Sequence, residues 1–253
     1  MANLPGTKSD SKTGSENTAT ATPTITTNAQ PARGDETRAQ LLDAALELFA
    51  LEGYEAVTTR RLAAKAGVNI AAIGYHFGGK RDLYRTLLKQ LVADTEPMFG
   101  PAMARMDAAI AGAAGNRDAL APLVASFADT VLHIFIGSDF MRWRAPLVMR
   151  EYANPSEDFQ ILYDGRVAPM HRCLTRLVAA ALGRSDDDPR AAIRAHAVMG
   201  QVIVFGVARV VLLRRLGLEE YGPDEIALVA GEVRHSVLAS LGLPMAESQG
   251  ETS

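Results

Sequence analysis

From Asp35 onward, apolar residues return along this chain at the spacing of α-helices. Leu41, Leu42, Ala45, Leu48 and Phe49 share one face at 3.6 residues per turn, with Gln40, Asp43 and Glu47 opposite. Gly53 stands where such a helix closes. Two short amphipathic runs follow, about 59–66 and 69–76, then a longer one from about Lys80 to Thr95 that Pro97 ends. Beyond Pro101 the chain is rich in Ala, Leu, Val and Met, and the pattern predicts helices near 101–113, 117–136, 140–152, 157–182, 189–216 and 223–241. Gly115, Gly137, Asn154-Pro155, the stretch from Gly183 to Pro189, and Gly222-Pro223 separate them. The expected fold is all-α: an N-terminal three-helix head and a C-terminal helical bundle.

Composition changes this picture little. The chain has 253 residues, 48% hydrophobic and 22% charged, enough for a substantial core. Residues 1–33 are rich in Ser, Thr, Asn and Pro and offer almost no large apolar side chains, so they read as a disordered tail without a secretory signal. The expected divisions are this tail, a head with its linking helix over 34–95, a body over 96–244 and a second tail over 245–253. The single cysteine, Cys173, excludes a disulfide scaffold and reads as a small buried apolar residue. The stretch Ala195–Leu213 approaches membrane-spanning length but carries His196, Gln201 and Arg209. It is expected to lie between a domain core and a partner subunit in a cytoplasmic protein.

The net charge of −3 gives no global sign of a nucleic-acid partner, yet charge is uneven. Between Val57 and Lys89 the basic residues Arg60, Arg61, Lys65, Lys80, Arg81, Arg85 and Lys89 face Asp82 alone. The same segment has the parts of a helix-turn-helix. Thr58 or Thr59 can cap a first short helix, with Leu62, Ala63 and Ala66 on its inner side. Gly67 permits a left-handed turn, Val68 fills the corner, and Asn69 can cap a second helix. Ile70, Ile73 and Phe77 are expected to face inward, leaving Ala71, Ala72, Tyr75 and His76 outward. Small outward residues let a helix approach base edges closely, and local positive charge attracts phosphates.

The segment Val57–Tyr84 resembles the N-terminal domain of the TetR family of repressors. The likeness rests on Thr58-Thr59-Arg60, Ala66-Gly67-Val68, Ala71-Ala72, His76-Phe77 and Lys80, and extends over about Asp35–Leu88. It implies a homodimer that binds double-stranded DNA at a palindromic operator, with Thr59, His76 and Lys80 on phosphates. Arg60 and the surface of Ile70, Ala71 and Ala72 would then face bases. Where the family usually carries a phosphate-contacting Tyr, this chain has Gly74; Tyr75 follows one residue later, about 100° further round the helix. Further on, Arg150-Glu151 and Asn154-Pro155, leading into a long helix with another Pro, resemble one subgroup of the family. The subgroup likeness sets no ligand. Family bodies of this kind dimerise through their last two helices.

A small hydrophobic effector is the further partner expected, with Phe127, Phe135, Trp143, Met149, Tyr163, Met170 and Phe205 as candidate pocket residues. Arg142, Arg144 and Arg150 near Glu151 are candidates for an anionic group or a salt-bridge cluster. His133, His171 and His196 fall on separate helices without paired ligand spacing, so no metal is expected. No phosphate-cradling loop, nucleophile elbow or cofactor motif points to an enzyme. Two other classes fit part of the pattern: a constitutive DNA-binding regulator, and a helical ligand-binding protein whose basic patch is incidental.

Overall fold

The computed structural model describes residues 33–137 and 143–245. The tails expected over 1–33 and 245–253, apart from Arg33 and Met245, lie outside the described residues, as do Arg142 and the first residues of the helix expected at 140. The helices are α1 (Arg33–Glu52), α2 (Thr59–Ala66), α3 (Ala71–Phe77), α4 (Lys80–Ala113), α5 (Arg117–Ile136) and α6 (Arg144–Ala153). Then come α7 (Phe159–Leu162), a π-helical turn (Tyr163–Val167), α8 (Ala168–Leu182), α9 (Pro189–Val207), α10 (Arg209–Leu216) and α11 (Pro223–Ser240).

Several ends follow from local chemistry. Gly53 closes α1 at φ +84°, donating its N–H to the Phe49 carbonyl at 2.9 Å. Asn116 caps α5 by accepting the Asp118 N–H at 3.0 Å, and Asp188 caps α9 by accepting the Arg190 N–H at 2.8 Å. At α11 the Glu225 carboxylate accepts the Gly222 N–H at 3.0 Å, ahead of Pro223 in the first turn.

Two expected helix boundaries are redrawn, and a further helix carries a π-helical turn. Pro97 does not end a helix: α4 runs on through Pro97 and Pro101 to Ala113, so the helices expected at 80–95 and 101–113 are one. Both prolines are exposed, and so is Ala93, whose carbonyl loses its helical partner at Pro97 and can turn to water. The segment expected as a single helix over 157–182 contains the π-helical turn. Gly165 there lets backbone pass so close to α4 that an added Cβ would stand 2.6 Å from a Val92 methyl. The helix expected over 189–216 breaks at Ala208 with a bend of 62° between α9 and α10. The break frees the Phe205 carbonyl from its helical partner, and it accepts the Tyr221 hydroxyl at 3.3 Å instead.

The apolar faces close into two main cores. In the head, Leu41, Ala45 and Phe49 of α1 pack with Leu62 of α2, Ile73 of α3 and Leu83, Leu87 and Leu88 of α4. Leu147 of α6 and Leu162 of α7 complete this core from the body side. In the body, α5 is the central helix. Its Leu120, Val124, Phe127, Val131 and Leu132 pack with Leu174, Leu177 and Val178 of α8, Val198 and Val202 of α9 and Val233 and Val237 of α11. Among the described residues α5 is also the one unbroken helix long and apolar enough to cross a bilayer, and its apolar residues are those of this core. Cys173 is buried as expected, its thiol pushed up to about 12 by burial and by the nearby Asp107 carboxylate.

The close approach at Gly165 makes a test. Gly165→Ala should lower stability by about 1–3 kcal/mol, the usual penalty for overpacking against a stiff β-branched neighbour. Adding Val92→Ala should recover most of the loss. Urea unfolding of the two variants checks both, and an unchanged or raised midpoint for Gly165→Ala alone contradicts the contact.

Candidate nucleic-acid interface

The head presents α3 at its surface. Thr58 is the cap of α2: extended at φ −98°, ψ 155°, it accepts the Arg61 N–H on its hydroxyl at 3.3 Å. Thr59 then begins the helix and is half-buried. Gly67 takes the left-handed conformation at φ +69°, and Val68 donates its N–H back to the Ala63 carbonyl at 3.0 Å. Asn69 accepts the Ala71 N–H at 2.9 Å and starts α3. Two further glycines, Gly78 and Gly79, both at positive φ, turn the chain from α3 into α4.

Exposure sorts the candidate DNA residues. Arg60 and Ala71 are exposed, and Tyr75 is 86% exposed, the most solvent-facing large hydrophobic side chain of the head. Ile70 is 50% exposed rather than inward. The exposed run Asn69-Ile70-Ala71 forms the outer end of α3, so only Ile73, one turn further in, is buried from this face. Ala72, expected outward, is half-buried against the head core. His76 is half-buried with its ring edge-on to Tyr75 at 4.9 Å. Lys80 is also half-buried, its ammonium 4.2 Å from the centre of the Tyr54 ring. A cation absent from the sequence reading, Arg38 of α1, stands 5.3 Å from the centre of the Phe77 ring beside α3.

The electrostatics differ from the charge count. Four of the seven basic residues between Val57 and Lys89 are held by carboxylates. Arg61 pairs with Glu52, and Lys65 with Glu47 at 2.8 Å. Arg81 pairs with Glu157, and Arg85 with Asp158 at 2.9 Å. All four carboxylates lie outside the basic segment, on α1 or in the α6–α7 corner, where a local count does not see them. Among the described residues Arg60, Lys80 and Lys89 have no ion-pair partner, so the free positive charge of this run narrows to these three.

Behind this surface the α6–α7 corner grips the head. Glu151, only 2% exposed, accepts the Tyr84 hydroxyl, the Ser156 hydroxyl at 3.0 Å and the Ser156 N–H at 3.2 Å. Burial and this carboxylate hold the Tyr84 phenol well above its usual pKa, so it remains a donor. Arg150 donates from Nε to the Ala50 carbonyl at 2.8 Å and from a second nitrogen to the Leu51 carbonyl, serving the unpaired end of α1. Arg144 instead pairs with Asp94 at 3.0 Å. A solvent-open recess of about 660 Å³ lies along this joint, lined in part by Tyr54, Tyr84, Arg150 and Asn154.

The candidate effector residues do not form one group. Phe127 and Met170 line a cavity of about 270 Å³ between α4, α5 and α8, with Phe99, Met103, Met106 and Ile134. Of the other five, Phe135 packs beside this cavity against Phe99 and Ile134, and four lie elsewhere. Trp143 packs toward the head core, Tyr163 is exposed against Phe159, and Met149 is half-buried on α6. Phe135 abuts Gly206, and Phe205 lies on the edge of the body core. Phe99, Met103, Met106 and Ile110 recur at helical spacing and were legible as one face; ending the helix at Pro97 hid it. His171 and His196 approach to 5.7 Å between ring centres, and among the described residues no three ligating side chains converge.

A capped helix, a left-handed glycine turn and an exposed small-residue helix, all seated on a long connecting helix, define the helix-turn-helix class with an all-helical body. Comparison with known proteins agrees. Residues 41–87 match the bacterial regulatory proteins of the tetR family, and residues 123–243 match the C-terminal domain of the HTH-type transcriptional dual regulator CecR. CecR of Shigella flexneri is 29% identical over 197 residues, covering 78% of this chain and 87% of that protein. The regulator SrpR of Pseudomonas putida is 37% identical over 70 residues, 28% of this chain and 33% of its own length. Among solved structures, FadR of Bacillus subtilis, in complex with stearoyl-CoA, shares the fold with a TM-score of 0.51 at 16% identity, covering 80% of this chain and 98% of that one. The chain belongs to the TetR family of transcriptional regulators. It is a DNA-binding regulator and not an enzyme.

Gly74 sits inside α3 with open space where a Cβ would go. Gly74→Ala should therefore raise stability, by up to about 1 kcal/mol from helix propensity alone. Thermal unfolding reads the sign, and a lowered midpoint is incompatible with a helical, uncrowded Gly74.

Proposed function

We propose that this regulator is a cytoplasmic repressor that binds a palindromic operator as a homodimer and is released by a small hydrophobic effector. In this reading residues 34–95 are the DNA-binding head and 96–244 the effector-binding and dimerisation body. The observation that carries it is the surface of α3: Arg60, Ala71 and Tyr75 exposed around a helix of small residues, with unpaired cations in the same head. Arg60, Ile70, Ala71 and Ala72 face bases, while Thr58, Thr59, Tyr75, His76 and Lys80 face the backbone. Tyr75, fully available one residue beyond Gly74, takes over the phosphate contact of the family's tyrosine. Because CecR is named a dual regulator, expression should be scored for activation as well as repression.

Duplexes selected by the protein from a randomised pool supply the probe. Arg60→Ala should weaken the selected site by about 1–3 kcal/mol and relax preference at one base pair. Lys80→Ala should weaken all sequences alike and lower the salt slope by about one ion per head. No sequence preference in the selection would refute the reading.

Dimerisation is supported by the outer face of the last helices. Ile193, Val204 and Val207 of α9, Val210 and Val211 of α10 and Leu228 of α11 are each 47–69% exposed, an apolar patch that a soluble monomer rarely leaves bare. Val202, on the same apolar stretch, is instead fully buried in the body core. Sedimentation of Val211→Glu should therefore report a folded protein shifted toward monomer, whereas Val202→Glu should fail to fold. A monodisperse wild-type monomer contradicts the proposal.

The effector site proposed is the α4–α5–α8 cavity. It is walled mainly by Met, Phe and aliphatic side chains, with Arg105 and the Ser126 and Thr130 hydroxyls as its polar groups. It opens on α4 about 35 Å along the helix from Lys80. Hydrophobic compounds that raise the melting temperature of the free protein should bind more weakly when the selected duplex is present, by the same factor that they weaken DNA binding. Equal binding with and without duplex favours a constitutive regulator.

A further inference from the structure

The Arg150-Glu151 and Asn154-Pro155 motif lies in the body, yet its Arg150 and Glu151 side chains end in the head. We infer that Glu151 is a positioning residue for DNA binding: through Tyr84 and Tyr54 it fixes where the Lys80 ammonium stands. The inference rests on the proposed role of Lys80 as a phosphate contact.

The path is continuous. Lys80 and Tyr84 lie one turn apart on α4, so their side chains share a face. Between them stands the Tyr54 ring, 4.2 Å below the Lys80 ammonium and 4.9 Å from the Tyr84 ring. Phe49 meets Tyr84 edge-on at 5.0 Å and backs Tyr54 at 5.8 Å, so both tyrosine rings rest against α1. The Tyr84 hydroxyl ends on the Glu151 carboxylate, whose other oxygen is occupied by Ser156. On either side, Arg150 holds the carbonyl end of α1, and Asp158 holds Arg85 of α4. α6 and the corner after it thus grip both helices that frame Tyr54.

The carboxylate itself is the telling part. A site this buried can be filled by an apolar side chain without the penalty of desolvating a charge, and such replacements are often neutral or stabilising. A carboxylate here adds direction rather than stability: it accepts one hydroxyl in one place, and that sets the ring beneath the lysine. Any shift of α6 is then felt at the start of α4.

The test combines variants with salt dependence. Affinity for a duplex selected from a randomised pool is measured over a salt series for wild type, Glu151→Gln, Tyr84→Phe, Lys80→Ala, and Glu151→Gln and Tyr84→Phe each combined with Lys80→Ala. Melting curves run in parallel. Glu151→Gln and Tyr84→Phe should each weaken binding by roughly 2- to 30-fold, the range for coupling through such networks. Both should lower the salt slope toward that of Lys80→Ala, and neither should weaken binding further once Lys80 is gone. Equal losses with and without Lys80, or an unchanged salt slope, would overturn the inference and leave Glu151 a support of the fold. If Lys80→Ala binds like wild type, the phosphate contact itself is wrong and the inference falls with it. Tyr84→Phe keeps the ring and removes only the hydroxyl, so it serves if Glu151→Gln does not fold.

Discussion

α4 belongs to two hydrophobic cores at once, and the rest of the molecule is arranged around that fact. Its first three turns give Leu83, Leu87, Leu88 and Leu91 to the head. Its last turns give Met103, Met106 and Ile110 to the body, with Phe99 between. A helix with a flexible joint at Pro97 would let the two units move separately. Here the backbone continues through both prolines, and Arg166 spans the same region, donating to the Val92 carbonyl at 2.9 Å and pairing with Glu96. The helix that gives Leu83 and Leu87 to the head core is therefore also a wall of the α4–α5–α8 cavity.

The sequence disclosed what is local. Caps, glycine turns and apolar spacing placed α1, α2 and α5 closely, because each is decided within a few residues: Gly53, Thr58 and Gly67, Asn116 and Gly137. The helix-turn-helix was legible for the same reason. What it did not disclose depends on neighbours distant in the chain. Pro97 looked like a stop because the solvent exposure that makes it tolerable is a tertiary property. Ile70 looked inward because a helical wheel does not reveal that nothing covers the outer end of α3. The aromatic residues of the body looked like one pocket because their side chains share a chemistry, while folding distributes them among two cores and the surface.

Charge shows the same division most plainly. The basic run around α2 and α4 reads as a strong positive patch, but Glu47, Glu52, Glu157 and Asp158 reach it from α1 and the α6–α7 corner. Surface pairs of this sort contribute little stability individually. Their larger effect is to leave few free cations in the head, so that attraction to DNA rests on a small number of side chains in a chain whose overall charge is negative.

The π-helical turn between α7 and α8 has a consequence for how this body came to be connected. A π turn holds one residue more than an α turn, so it rotates everything after it by about 100° relative to everything before. Leu162, just ahead of it, points into the head core, while Leu174, Leu177 and Val178, beyond it, point into the body core. One nearly continuous helical segment thereby serves two cores that do not lie on the same side of it. Gain or loss of a single codon within 163–167 would re-aim one whole face relative to the other, so this short stretch should tolerate substitutions far better than changes in length.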